Sequence, residues 1–249
     1  MQIRVFPFGV LKDWLGASAT AVELPEGATV AELLGRLSER KPAPPLQGIA
    51  VSVNAEYATP AHELQEGDEV GLLPPVSGGG AARAAGLSAG NDAGSAGLTA
   101  LTREPIATAD LVARAKRGED GAVVVFDGIV RNNSRSRRTL YLDYEAYEEM
   151  AVRQMKELAN EARTRFEVRH VTLVHRLGRL EIGETSVLIV VASAHRDQAF
   201  EACRWLIDTL KKTVPIWKRE TFEDGTVWAA GEPFPAGLSV APPEASHEG

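Results

Sequence analysis

Residues 77–98 read SGGGAARAAGLSAGNDAGSAGL, and this run is unable to contribute to a hydrophobic core. It is nearly all Gly, Ala, Ser, Asn and Asp, so it buries too little apolar surface to offset the entropy of ordering. Residues 80–98 are therefore expected to be a flexible linker, and these 19 residues span roughly 25 Å root-mean-square. No single core runs through such a stretch. The chain is expected to fold as two units, one on either side of it. A length of 249 residues agrees with that, since domains commonly hold about 100–200 residues.

The approach to the linker poses a question. LLPPVSGG, residues 72–79, closes an apolar strand with two prolines and then two glycines. That reads as a terminus, yet more than half of the chain follows it.

Hydrophobic residues make up 44% of the chain and charged ones 24%, the balance of an ordinary soluble globular protein. No apolar run approaches the ~20 residues that span a bilayer. The N-terminus, MQIRVFPFGVLKDWLG, lacks the pattern of a signal peptide. A cytoplasmic protein with no membrane partner is expected. The single cysteine, Cys203, excludes an intrachain disulfide and a cysteine-based zinc cage. The net charge of −7 is uneven: residues 1–79 carry five Lys/Arg against ten Asp/Glu, and the remainder 22 against 24. Nucleic acid is excluded as a partner because no face-wide basic excess is present. An acidic first unit and local basic clusters in the second suggest surfaces that attract each other.

In the first unit, QIRVFPF alternates as a half-buried strand, GVLKDWLG reads as a short helix closed by Gly16, and TAVELP completes a hairpin. From Thr29, TVAELLGRLSERK is a capped helix with Thr29 as N-cap and Glu32 three residues on. IAVSVN and DEVGLLPP supply two more strands. The order strand, strand, helix, strand, strand is that of a ubiquitin-like β-grasp domain over residues 1–79.

Beyond the linker, TADLVARAKRGE reads as a helix and GAVVVFDGIV as a buried strand. TLYLDYEAY is a strand, EEMAVRQMKELANEARTRF a long amphipathic helix, and VRHVTLVHRLG and TSVLIVVASA are strands. HRDQAFEACRWLIDTLKKTV is a second long helix, and PIWKRETF starts a final strand pair. The expected class is α+β, two helices against a mainly antiparallel sheet over residues 99–231. Residues 232–249, rich in Pro, Ala and Glu, are expected to be a disordered tail.

On these residues the first unit resembles the small, sulfur-carrying subunit of molybdopterin synthase, through its element order, its VNAEYA strand and turn, and its DEVGLLPPVSGG ending. The second is similar to the large, catalytic subunit of that enzyme, with its α/β hammerhead-type domain. The likeness rests on GAVVVFDGIVRNNS, VHRLGRLEIGE, VASAHRDQAFEAC and LKKTVPIWKRE. The resemblance implies sulfur transfer to cyclic pyranopterin monophosphate, building the dithiolene of molybdopterin without a metal or organic cofactor. It further implies an E1-like adenylyltransferase and a sulfur donor that convert the second glycine, Gly79, to a thiocarboxylate. A homodimer through the C-terminal domain is implied as well.

Gly78 and Gly79 fit a tail that threads a narrow channel, since glycine has no Cβ to clash and all backbone regions open to it. They also read as the first residues of the linker. Gly79 is followed by Gly80, so its carbonyl sits in a peptide bond and is not available to become a thioacid. A processing protease that cuts after Gly79 is expected, or else the carrier half is inactive.

Lys211 closes the last long helix, where the helix dipole favours a cation in any case. Lys218 follows VPIW, in which Pro215 turns the chain back as a strand. Cations on both sides of such a turn are able to converge on one pocket, and the resemblance places both lysines there. They suit anion binding and proton donation to a leaving oxygen. Lys212 is expected on the surface. The resemblance assigns substrate binding to Arg131, at a strand end, and to Phe126, which also reads as a core residue. Arg135, Arg137 and Arg138 read as a solvated loop. His195 and Arg196 open a helix, whose N-terminus gathers unpaired N–H groups suited to an anion, and the resemblance assigns them to substrate too. Cys203 is expected to be inert and His175 structural. After Arg219 the sequence holds no Lys or Arg, where family members often carry a basic residue.

Two other readings start from the same residues. One is a sulfur carrier or ubiquitin-like modifier tethered to a non-catalytic binding module; the other is a regulatory precursor that is off until cut. The joint occurrence of Arg131, Lys211 and Lys218 favours the enzyme, because a docking module has no need of them.

Overall fold

The computed structural model describes residues 1–40, 42–76, 97–134, 136–229, 234 and 238. Gly78, Gly79, residues 80–96 of the expected linker and nearly all of the expected tail lie outside the described residues. By internal contacts the chain divides into two units, residues 1–76 with 230–249 and residues 77–229.

The first unit is a five-stranded sheet with one main helix. Strand β1 (Gln2–Pro7) alternates outward and inward, burying Ile3 and Val5. A 3-10 turn at Gly9–Leu11 and a short α1 (Lys12–Leu15) lead to β2 (Thr20–Glu23), antiparallel to β1. Helix α2 (Val30–Ser38) starts in a full capping box, in which the Thr29 side chain accepts from Glu32 N–H and Glu32 accepts from Thr29 N–H. Its Val30, Leu33, Leu34 and Leu37 are fully buried on one face. Strands β3 (Ala50–Val53), β4 (Glu56–Ala58) and β5 (Glu69–Leu73) complete the sheet in the order β2-β1-β5-β3-β4, with β1 and β5 parallel.

The VNAEYA segment holds a two-residue hairpin, with Asn54 and Ala55 both at positive φ (51° and 64°). Asparagine tolerates that region because its side chain bonds locally. Here the Asn54 amide donates to Asp68 and its carbonyl oxygen accepts from Glu69 N–H.

The second unit has two sheets where the sequence suggested one. Strands β6 (Thr99–Thr102), β7 (Ala122–Ile129), β10 (His170–Arg176) and β12 (Thr185–Ser193) form the first, in the order β6-β10-β12-β7. The second is built from β8 (Asn133–Ser134), β9 (Arg137–Ala146), β11 (Gly178–Glu181), β13 (Ile216–Phe222) and β14 (Gly225–Trp228). Its order is β11-β9-β13-β14, with β8 against β9. Helix α3 (Thr108–Ala115) precedes β7, while α4 (Glu148–Phe166) and α5 (Arg196–Thr213) cover the first sheet. The core lies between them: Met155, Leu158 and Ala162 of α4 and Ala202, Leu206 and Leu210 of α5 meet Leu173, Ile189 and Val191 of the sheet.

Strand β7 differs from the continuous buried run expected of GAVVVFDGIV. It lies at the end of its sheet, bonded among the described residues to β12 alone, and so alternates. Val125 and Ile129 point outward, 40% and 60% exposed, while Phe126 and Gly128 turn inward. Behind it, the loop after α3 is pinned to β10 by Asp120, whose nearly buried carboxylate accepts from the Arg169 guanidinium. That hydrogen bond holds the Asp120 carboxyl below the usual carboxylate range. Among the described residues no helix is long and apolar enough to cross a membrane.

Candidate active site

Where β7, β10 and β12 approach β9, β13 and the end of α5, the second unit encloses a cavity of roughly 430 Å³. At Gly128 an added Cβ would lie 2.6 Å from Val187 Cγ1 and 3.1 Å from the Phe126 ring, so a larger residue there would force these wall side chains to shift.

Lys211 reaches the cavity from the last turn of α5, one residue beyond the buried Leu210. The helix ends at Thr213 because Pro215 has no N–H to continue it. Strand β13 then returns beside β9, and its register sets Lys218 opposite Tyr144. The two-residue period of a strand places Glu220 on the same face as Lys218. Their charged ends are 3.0 Å apart, with the Glu220 side chain 8% exposed. Arg131, just past β7, completes the cationic lining together with Lys211 and Lys218. The end of β7 and, about eighty residues later, the α5–β13 turn thus bring three cations and one buried carboxylate to one concavity.

Phe126 also lines it. His195 and Arg196 do not: they stand exposed at the N-terminal end of α5, with Arg196 near Asp197 at 3.7 Å. The fifteen residues from Arg196 to Lys211 put about 22 Å of helix between them. Gly78 and Gly79 lie outside the described residues. Arg137 and Arg138 pair with Asp224 and Glu223, joining β9 to the β13–β14 turn.

Residues not singled out as site candidates also form the wall. Tyr144 of β9 is one of them, and burial raises its hydroxyl pKa. The Ser186 hydroxyl donates to Gly128 O at 2.8 Å. His175, expected to be structural, is buried against Tyr144 with ring centroids 5.0 Å apart in an edge arrangement. The one available signal for Glu220 was its two-residue spacing from Lys218 on a strand. Among the described residues no three His, Cys, Asp or Glu side chains converge as metal ligands would.

Three cations beside a buried carboxylate have the chemistry to hold an anion and to offer protons, and comparison with known proteins says where the unit belongs. The model of the MoaE protein family matches residues 101–213, and that of the ThiS family matches residues 7–79. The molybdopterin synthase catalytic subunit of Pyrococcus abyssi is 42% identical over 123 residues, covering 49% of this chain and 83% of its own length. That of Thermoplasma volcanium is 46% identical over 125 residues, covering 50% and 91%. The chain belongs to the MoaE family of molybdopterin synthase catalytic subunits. A crystal structure of molybdopterin synthase from Staphylococcus aureus aligns with 51% of the chain and 93% of its own, at 39% identity and a TM-score of 0.49. The MoaE-family unit thus follows a ThiS-family unit in a single polypeptide.

Two side chains of the MoaE-family unit carry predictions of their own. Cys203 is buried in α5, and burial pushes its thiol up to about 11. At pH 8 the thiolate fraction is then roughly two orders of magnitude below that of an ordinary cysteine. Alkylation by iodoacetamide should be correspondingly slow in the native protein and fast in urea. Rapid native labelling would contradict this burial.

Lys212, expected at the surface, is 7% exposed, and its Nζ has no hydrogen-bond partner among the described residues. A buried polar group without a partner costs about 1–3 kcal/mol. Lys212→Met, which keeps the volume and removes the charge, should raise the melting temperature by roughly 2–6 °C. A lower melting temperature would show that the ammonium is paired in solution.

Proposed function

We propose that the chain is a molybdopterin synthase with its sulfur carrier and its catalytic unit joined. In this reading a thiocarboxylate on Gly79 supplies sulfur to cyclic pyranopterin monophosphate, and two such deliveries build the dithiolene. The observation that carries it is the convergence of Arg131, Lys211 and Lys218 on one cavity in a MoaE-family unit. A permanently charged arginine and two lysines suit a cyclic phosphate. Arginine holds the anion, while a lysine also gives a proton to the oxygen that sulfur displaces. Glu220 holds Lys218 in place by its 3.0 Å ion pair. Phe126 supplies an apolar wall for the pterin or for the incoming glycine tail.

The carrier role of Gly79 draws support from the ThiS-family match, which ends at that residue. Adenylation requires a free carboxylate, so an E1-like adenylyltransferase, a sulfur donor and a protease acting between Gly79 and Gly80 belong to the same reading. The setting is the cytoplasm, and the catalytic unit works as a homodimer. His195 and Arg196, remote from the cavity of their own chain, are assigned to anion binding at the start of α5.

The test is reconstitution. Residues 1–79 prepared with a C-terminal thiocarboxylate, residues 97–249 and cyclic pyranopterin monophosphate should yield molybdopterin, detected as its fluorescent oxidation product. A mixture that consumes no thiocarboxylate would overturn the proposal in favour of a carrier tethered to a binding module.

A further inference from the structure

Phe234 departs from the disordered tail expected of residues 232–249. Its side chain is 4% exposed, and its ring meets Tyr57 edge-on with centroids 5.8 Å apart, an arrangement that aromatic pairs favour. Tyr57 sits on β4, the end strand of the ThiS-family sheet, paired among the described residues with β3 alone. Register fixes the face it occupies. Tyr57 lies opposite Ser52, Ser52 opposite Gly71, and Ala50 opposite Leu73. Strand alternation sets these residues on the far side of the sheet from Val51, Val53, Val70 and Leu72, which join the core packed on α2. A mostly antiparallel sheet with one main helix ordinarily leaves its second face to solvent. Here Ala50, Ser52 and Leu73 are fully buried on that second face, and Phe234 stands beside Tyr57 on it. By internal contacts residues 230–249 group with residues 1–76, so the chain returns to the first unit after Ala229.

We propose that Phe234 is an anchor that keeps the ThiS-family unit bound to the rest of the polypeptide once the chain is cut after Gly79. The cut separates residues 1–79 from residues 80–249, leaving Tyr57 on the first piece and Phe234 on the second. One covalent chain becomes a noncovalent pair, held in part by this aromatic seat. Buried aromatic side chains are the usual source of strength in such contacts. Pro233 and Pro235 flank Phe234 in the sequence, which restricts the unseated backbone and lowers the entropy lost on seating. Processing then exposes the Gly79 carboxylate without dispersing carrier and catalyst, whose effective concentration stays above that of two independent chains. The inference rests on the reading that the chain is cut after Gly79, but its test supplies the cut and needs no turnover.

A protease recognition sequence in place of residues 84–90 of the full chain lets the cut be made at will. After cutting, the two pieces should elute together in gel filtration at micromolar concentration. Phe234→Ala should raise their dissociation constant roughly 10- to 100-fold, the loss typical of a buried aromatic anchor. Tyr57→Ala should weaken the pair by a similar factor. The double variant should be little weaker than either single one, because the two rings act as a unit. A chain stopped after Ala229 should bind no better than Phe234→Ala. Any other contact between the pieces is common to all these chains, so the ratio of constants isolates the aromatic seat. Phe234 lies outside the cluster packed on α2, so circular dichroism of uncut Phe234→Ala should match that of the unsubstituted chain. A dissociation constant unmoved by Phe234→Ala and by the stop after Ala229 would overturn the proposal, as would fully additive losses in the double variant. If only uncut chain is found in the native cell, the processing reading falls, and the dependence on Phe234 still decides the anchor.

Discussion

Lys211→Ala and Lys218→Ala should each lower molybdopterin formation by roughly 10²–10⁴-fold while leaving the fold intact, the usual loss for a single general acid. Both side chains line the cavity from element ends, Lys211 on the last turn of α5 and Lys218 two residues into β13. Neither belongs to the buried apolar cluster, so truncation opens no large cavity in the core. The two variants should differ in a second respect. Lys218→Ala leaves Glu220 buried without its 3.0 Å partner, so it should cost stability as well as rate. Lys218→Ala,Glu220→Gln should recover that stability but not the rate. The measurement is turnover with a pre-thiocarboxylated carrier unit, beside thermal melts of the same samples. Near-normal turnover in both lysine variants would remove them from the chemistry.

The uncut chain should make no molybdopterin. A peptide carbonyl is not a carboxylate, so Gly79 joined to Gly80 has no group for adenylation and no place for a thioacid sulfur. A carrier ending at Gly79, supplied with residues 97–249 and an activating enzyme, should restore synthesis from background to the rate of a two-chain enzyme. The small and polar residues after Gly79 suit a protease, which needs a segment it binds without unfolding a domain. Intact-mass analysis of protein from its native cell should find a species ending at Gly79. Synthesis by a chain verified by mass as uncut, at the rate of the separated halves, would require another route for the sulfur.

Much of the fold is legible along the chain because its signals are local. The Thr29–Glu32 capping box, the two-residue turn at Asn54–Ala55 and the stop at Pro215 each depend on residues within a few positions of one another. The amphipathic faces of α2, α4 and α5 likewise follow from a 3.6-residue period that neighbours alone establish. Strand pairing does not work this way. β6, with four half-buried residues, looks unremarkable until it pairs in parallel with β10, more than seventy residues later. The exposure of β7 was hidden for the same reason, since a run of valines reads as interior and only its place at the sheet edge decides otherwise.

By itself, then, the sequence determined the division into a carrier-like and a catalytic-like unit, the long helices and longer strands, and the identity of Arg131, Lys211 and Lys218 as a set worth suspecting. Those rest on composition, short-range periodicity and motif. Only the tertiary structure decided which groups share a cavity. It brought Glu220 beside Lys218 and placed His175 in the same cavity wall as Lys211, set His195 and Arg196 at the far end of α5, and buried Lys212. The physical reason is that charge and hydrogen bonding act over a few ångströms of space. Those distances are set by the register of β9 against β13 and by where α5 comes to rest on the sheet, neither of which any single stretch of the chain specifies.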